Sequence, residues 1–133
     1  MHTQDISVVL SLGSNCGDRE RSVGEAMTWL SGILGDYMES EIYETLPVGH
    51  SGANYMNAVV SGSYPGSLSD LEMACKEYER SCGRDEESRR EKRVPVDVDI
   101  VMADGEILRS RDYACSFFQQ GYRQVTDKEK AGR

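Results

Sequence analysis

The chain has 133 residues, 38% of them apolar and 29% charged, with a net charge of −8. A domain of this size buries enough surface to fold without disulfides or metal, and its acidic balance excludes a general binder of nucleic acid or anionic lipid. No stretch approaches the ~18 consecutive apolar residues of a membrane span, and residues 1–5 lack the basic-then-apolar start of an export signal, so the expectation is one cytoplasmic domain over 1–133 with its four cysteines reduced.

Residues 6–12 (ISVVLSL) are apolar and rich in β-branched side chains, the composition of a central strand. Gly13 to Asp18 reads as a loop. Val23, Ala26, Met27, Leu30, Ile33 and Leu34 then recur at three and four, which predicts a helix over residues 19–34 stopped by Gly35. A second strand is predicted over 37–44, a Pro/Gly loop over 46–53 and a third strand over 55–64. On that strand Met56, Ala58 and Val60 share one face, and Tyr55, Asn57 and Val59 the other. Ser67 caps a second helix whose buried face is Leu68, Leu71, Cys75, Tyr78 and Cys82, closed by Gly83. Residues 84–93 read as a charged loop. A fourth strand over 94–102 alternates Val96, Val98 and Ile100 with Asp97 and Asp99, and Asp104-Gly105 is a tight turn. Residues 107–125 carry Tyr113, Phe117, Phe118 and Tyr122, and 126–133 are expected to fray. The order βαββαβ predicts an α+β fold: a ferredoxin-like core with a mainly antiparallel four-stranded sheet and two helices on one face.

Several of these residues carry chemistry. Asp97 and Asp99 sit at i and i+2 on a strand and point to one face, where they can share a hard cation such as Mg²⁺. The same pattern also fits two solvated acids. Their mutual repulsion predicts that removing either one raises the melting temperature in the absence of metal. Residues 88–93 hold four basic side chains and one acid, a local +3 that suits a polyphosphate, or simply a solvated loop, since Asp85, Glu86 and Glu87 adjoin it. With like charges and no apolar anchor, this segment is expected to be mobile without ligand. Asn57 beside Tyr55 suits reading the amide-like edge of a heterocycle, or bracing the nearby loop. Gly13-Ser14-Asn15 alone is a plain strand-to-helix turn. Glu79 alone is a surface glutamate. His2 and His50 have no evident partner.

Taken together, Leu12-Gly13-Ser14-Asn15, Gly17-Asp18-Arg19, the run from Tyr43 to Gly49 (YETLPVG), the run from Tyr55 to Val60 (YMNAVV), Glu79 with Gly83-Arg84, and Val96-Asp97-Val98-Asp99-Ile100 resemble the 6-hydroxymethyl-7,8-dihydropterin pyrophosphokinase family. The resemblance runs from Ile6 to Leu108. It implies an α/β sandwich on the ferredoxin-like core and transfer of the β,γ-pyrophosphate of ATP to the pterin hydroxymethyl oxygen, a step of folate biosynthesis. It further implies two Mg²⁺ ions, small-molecule partners only, and a monomer. Carried over by motif, Asp97 and Asp99 are the metal ligands and form the catalytic set with Arg84 and Arg93. Thr45, Val48, Tyr55, Asn57 and Phe118 fall to the pterin, with Phe117 as the other candidate for the closing aromatic. Glu79, Arg84, Arg89, Arg90 and Ile100 fall to the nucleotide. The chain departs from the family pattern at Val94-Pro95, where Arg-Thr is usual, at Glu86, which takes the place of a loop arginine, and in having no histidine after His50. Those departures leave an alternative: a catalytically weakened module that binds pterin and nucleotide.

Overall fold

The β-branched run near the start of the chain forms β1 (Ile6–Ser14), which lies inside the sheet, paired with a strand on each side. A computed structural model describes residues 5–47 and 53–132; Val48, together with most of the predicted 46–53 loop, falls outside them. The apolar stripe predicted on the first helix forms α1 (Arg19–Ile33), capped by the Asp18 carboxylate. After it come β2 (Gly35–Glu39), β3 (Tyr43–Thr45), β4 (Tyr55–Tyr64), α2 (Leu68–Ser81) and α3 (Glu86–Arg90), then β5 (Asp97–Ala103), β6 (Glu106–Ile107), α4 (Ser110–Ala114) and α5 (Ser116–Ala131). The sheet runs β2-β4-β1-β5-β6, with β3 also on β4, and every recorded pairing is antiparallel. The first four strands of that order are the ferredoxin-like arrangement. No helix among the described residues is long and apolar enough to cross a membrane.

α1 and α2 pack on one face, burying Val23, Leu30 and Leu71 against Leu10, Leu12, Val60 and Val98. The opposite face is covered too. There α5 lays Phe118 and Val125 on Val59 and Val101, so the tail adds a third layer to the expected two. Residues 126–131 are helical rather than frayed: they extend a helix already docked at Val125, and Lys128 Nζ donates to Glu39 O at 2.6 Å.

The single strand expected over 37–44 is split. Glu39 faces Val60 and Tyr43 faces Asn57, four steps against three, so one extra residue is accommodated as in a bulge. Buried Ser40 replaces the missing ladder bonds: its N–H donates to Val59 O and its hydroxyl accepts the Val59 N–H, both at 2.9 Å. Cys82, expected on the buried face of the second helix, is exposed, because the helix ends at Ser81 and its stripe of Leu71 and Cys75 continues at Glu79 instead.

α5 lies tight against the sheet at Gly121. A Cβ there would lie 2.6 Å from Tyr43 Oη and 2.6 Å from Val59 Cγ2. The Tyr43 hydroxyl accepts the Gly121 N–H at 3.1 Å and donates to Phe117 O at 2.5 Å, which fixes the start of α5. Gly121→Ala is therefore expected to cost about 1–3 kcal/mol through overpacking, read by urea denaturation. An unchanged midpoint would show that α5 does not dock this tightly.

Candidate active site

The sheet register assembles the site. Gly13 faces Asn57 on β4 and Asp97 on β5, and Ser11 faces Asp99, so three adjacent strands present their side chains in neighbouring rows. These odd-numbered positions share the sheet face that α5 covers further along, at Val59 and Val101. Where α5 begins, the face is open and forms a cavity of about 210 Å³. Its floor is Ser11, Gly13, Asp97 and Asp99. Thr45, Tyr55 and Asn57 form one wall, and Arg109, Asp112 and Phe117 the other.

A third carboxylate adjoins the acidic end. Glu79, Asp97 and Asp99 each offer an oxygen within 4.8 Å of the other two. Glu79 is 4% exposed, although a glutamate at the end of a helix ordinarily faces water. It is drawn in because β6 is too short to cover β5 at Val98, and the orphaned Val98 N–H donates to Glu79 Oε2 at 2.8 Å. Burial raises the Glu79 pKa above the usual carboxylate range, and that hydrogen bond opposes the shift. Asp99 is pushed up to about 7, first by burial and then by Asp97, with Arg109 opposing. Cations surround the cluster. Arg84 pairs with Asp97, Lys76 Nζ lies 3.7 Å from Glu79, and Arg109 Nη2 lies 4.0 Å from Asp99. Three hard oxygen donors gathered this closely form the donor set that a divalent ion such as Mg²⁺ prefers.

At the other end, Asn57 is 4% exposed. Its amide nitrogen donates to Thr45 Oγ1 at 2.5 Å, which fixes the amide plane, and its carbonyl oxygen lies over the bare Cα of Gly13. The sequence therefore places Thr45, Tyr55, Asn57, Asp97 and Asp99 around one cavity, with Arg84 reaching it through Asp97.

Three assignments need correction. Phe118 has no exposed surface and lies in the core beneath α5, stacked on Tyr122, while its neighbour Phe117 reaches the cavity. The Ile100 side chain points into the α1/α2 core, so it offers a ligand no side-chain contact. Residues 84–93 are not a bare loop: Asp85 and Ser88 cap α3 reciprocally, and Ser88 is fully buried. Asn15 then pins the end of the segment. Its N–H donates to Val94 O at 2.9 Å, its Nδ2 to Lys92 O at 2.9 Å, and its Oδ1 accepts the Val94 N–H at 2.5 Å. The anchors are polar, so a search for apolar ones misses them, and Gly13-Ser14-Asn15 is a latch rather than a plain turn. Arg84, Arg89 and Arg93 line a second depression against Tyr55; Arg90 does not line it, and Arg93 is turned to Glu91 at 2.6 Å.

Sequence reasoning also missed Arg109, Asp112 and Ser11. The signal for Arg109 was the Asp104-Gly105 turn. It folds the chain back until the Arg109 N–H reaches Val101 O at 3.4 Å, alongside Asp99. A family model described as 7,8-dihydro-6-hydroxymethylpterin-pyrophosphokinase (HPPK) matches residues 9–125. No curated protein matches the chain.

Proposed function

This chain belongs to the 7,8-dihydro-6-hydroxymethylpterin-pyrophosphokinase family, and we propose that it transfers the β,γ-pyrophosphate of ATP to the hydroxymethyl oxygen of 6-hydroxymethyl-7,8-dihydropterin. The observation carrying this reading is that one cavity joins two unlike ends, an aspartate pair backed by Glu79 and a fixed amide beside aromatic rings. Asp97 and Asp99, with Glu79 beside them, would hold Mg²⁺, which supplies charge neutralisation on the phosphates. Arg84 holds Asp97 in place. Asn57, held by Thr45, reads the polar edge of the pterin, and Tyr55 and Phe117 flank its faces. Arg89 and Arg93 border the neighbouring depression, where a phosphate chain leaving the cavity would meet positive charge. Rate then comes from aligning the hydroxyl with the β-phosphorus and from electrostatic stabilisation. The protein acts as a cytoplasmic monomer in this reading.

Two observations favour a second reading, a binding module of low activity: Val94-Pro95 precedes the aspartates, and Arg93 is engaged by Glu91. Calorimetry with a non-hydrolysable ATP analogue and Mg²⁺, with and without pterin, followed by an AMP-release assay with ATP, separates the two. Mutually enhanced binding with AMP release supports the enzyme; binding without release supports the module. Asn57→Ala is expected to weaken pterin binding by about 1–3 kcal/mol, the cost of an unpaired buried partner, and to leave Mg²⁺·nucleotide binding nearly unchanged. Unfolding of that variant would make Asn57 a brace for β3 instead.

A further inference from the structure

Arg109 stands at the mouth of the cavity with two carboxylates around its guanidinium. Asp112 on α4 grips Nε at 2.6 Å, a short charge-assisted bond. Nη2 faces Asp99 at 4.0 Å, beyond hydrogen-bond reach, so this second contact is charge balance rather than a bond. The two carboxylates are mostly buried, with side chains 20% and 21% exposed, while the arginine is 49% exposed. The guanidinium is thus anchored by one edge and free to re-aim the other.

We propose that Arg109, anchored by Asp112, is a place-holding cation that balances Asp99 in the free protein and passes to the nucleotide phosphates when a divalent ion occupies the acidic cluster. The inference rests on the proposed function and adds to it a residue that no motif of the sequence marks. A divalent ion at Asp99 repels the guanidinium a few ångströms away, and the phosphate oxygens that accompany the ion offer it an anionic partner in the same space. Nε need not leave Asp112 during the exchange. An arginine suits this double duty because its planar fork serves two partners at once, whereas a lysine ammonium must choose between them.

The two roles predict effects of opposite sign. In Arg109→Gln, Mg²⁺ alone is expected to bind more tightly than in the unaltered chain, because a competing cation is gone. The Mg²⁺ complex of α,β-methylene-ATP is expected to bind about tenfold more weakly, or worse, with a shallower dependence on KCl. Arg109→Lys should fall between, and Asp112→Asn should weaken the nucleotide less than Arg109→Gln. Arg80→Gln removes the same charge on the far side of α2, where Arg80 pairs with Glu77, and should change neither affinity. Calorimetry on the full chain reads all four. Nucleotide affinity unchanged in Arg109→Gln, or Mg²⁺ and nucleotide both weakened equally in Arg109→Gln and Arg109→Lys, would overturn the exchange. If the unaltered chain binds no nucleotide, the proposed function fails and the exchange fails with it, whereas loss of the exchange alone leaves the parent reading standing.

Discussion

Asp97→Ala and Asp99→Ala are each expected to remove Mg²⁺-dependent nucleotide binding, by about a hundredfold or more, because each deletes one of the three hard donors and leaves the other aspartate with only Glu79 to hold the ion. The two positions should then part company in stability. Asp99 carries a pKa pushed up to about 7 by burial, then by Asp97, so between that value and its ordinary range near 4 the folded state holds a proton that the unfolded chain has lost. With more protons bound in the native state, stability from this group rises as pH falls from about 7 toward 4, and is lowest above 7. Asp99→Asn should therefore raise the melting temperature of the metal-free protein in mildly alkaline buffer, with a gain that shrinks as pH falls through that window. Asp97→Ala should not. Asp97 is the ion-pair partner of Arg84, whose Nε is already buried without a hydrogen bond, and removing the carboxylate takes away that partner and leaves only the more distant Glu79 and Asp99 charges. Repulsion between the two aspartates, read from sequence alone, predicts a gain from either deletion; the third residue, Arg84, breaks the symmetry. Thermal melts of both variants across pH, with and without Mg²⁺, check this. A gain in Asp97→Ala equal to that in Asp99→Asn would mean the Arg84 pair does not form.

Legibility followed periodicity. The stripe of α1 and the alternation on β4 and β5 are set by residues buried against the sheet, so spacing alone placed Val23, Ala58 and Val98 on one face and Asn57 and Asp97 on the other. What spacing could not reveal were groups held by backbone atoms far along the chain. Glu79 is buried by a vacant N–H on β5, and Ser88 by its own helix cap. Asn15 finds its partners 77 and 79 residues away. Each looks polar and exposed in sequence because the compensating bond is absent from its neighbourhood. Glu79 did carry a hint: it stands four residues after buried Cys75 on the stripe from Leu71, in place of the apolar residue that position calls for.

The tail was hardest to read because two adjacent aromatics compete for two environments. Consecutive residues on a helix are about 100° apart, so the phase of α5 decides which of Phe117 and Phe118 enters the core and which the cavity. The phase is set at Gly121, where contact with Tyr43 Oη and Val59 leaves no room for rotation. Phe118 then falls on Val59 and Val101 with its ring stacked on Tyr122 at 5.2 Å, and Phe117 falls beside Asp112 and Cys115 at the cavity. Phe118→Ala is accordingly expected to cost about 3–5 kcal/mol, a large part of the roughly 5–15 kcal/mol that stabilises an ordinary domain. Phe117, which packs only partly against that core cluster, should cost less in stability when changed to Ala while weakening pterin binding several-fold through the lost ring contact. Urea denaturation and pterin titration of both variants test the phase. If Phe118→Ala melts like the unaltered chain yet loses pterin, α5 is turned by one residue and Phe118 is the closing aromatic after all.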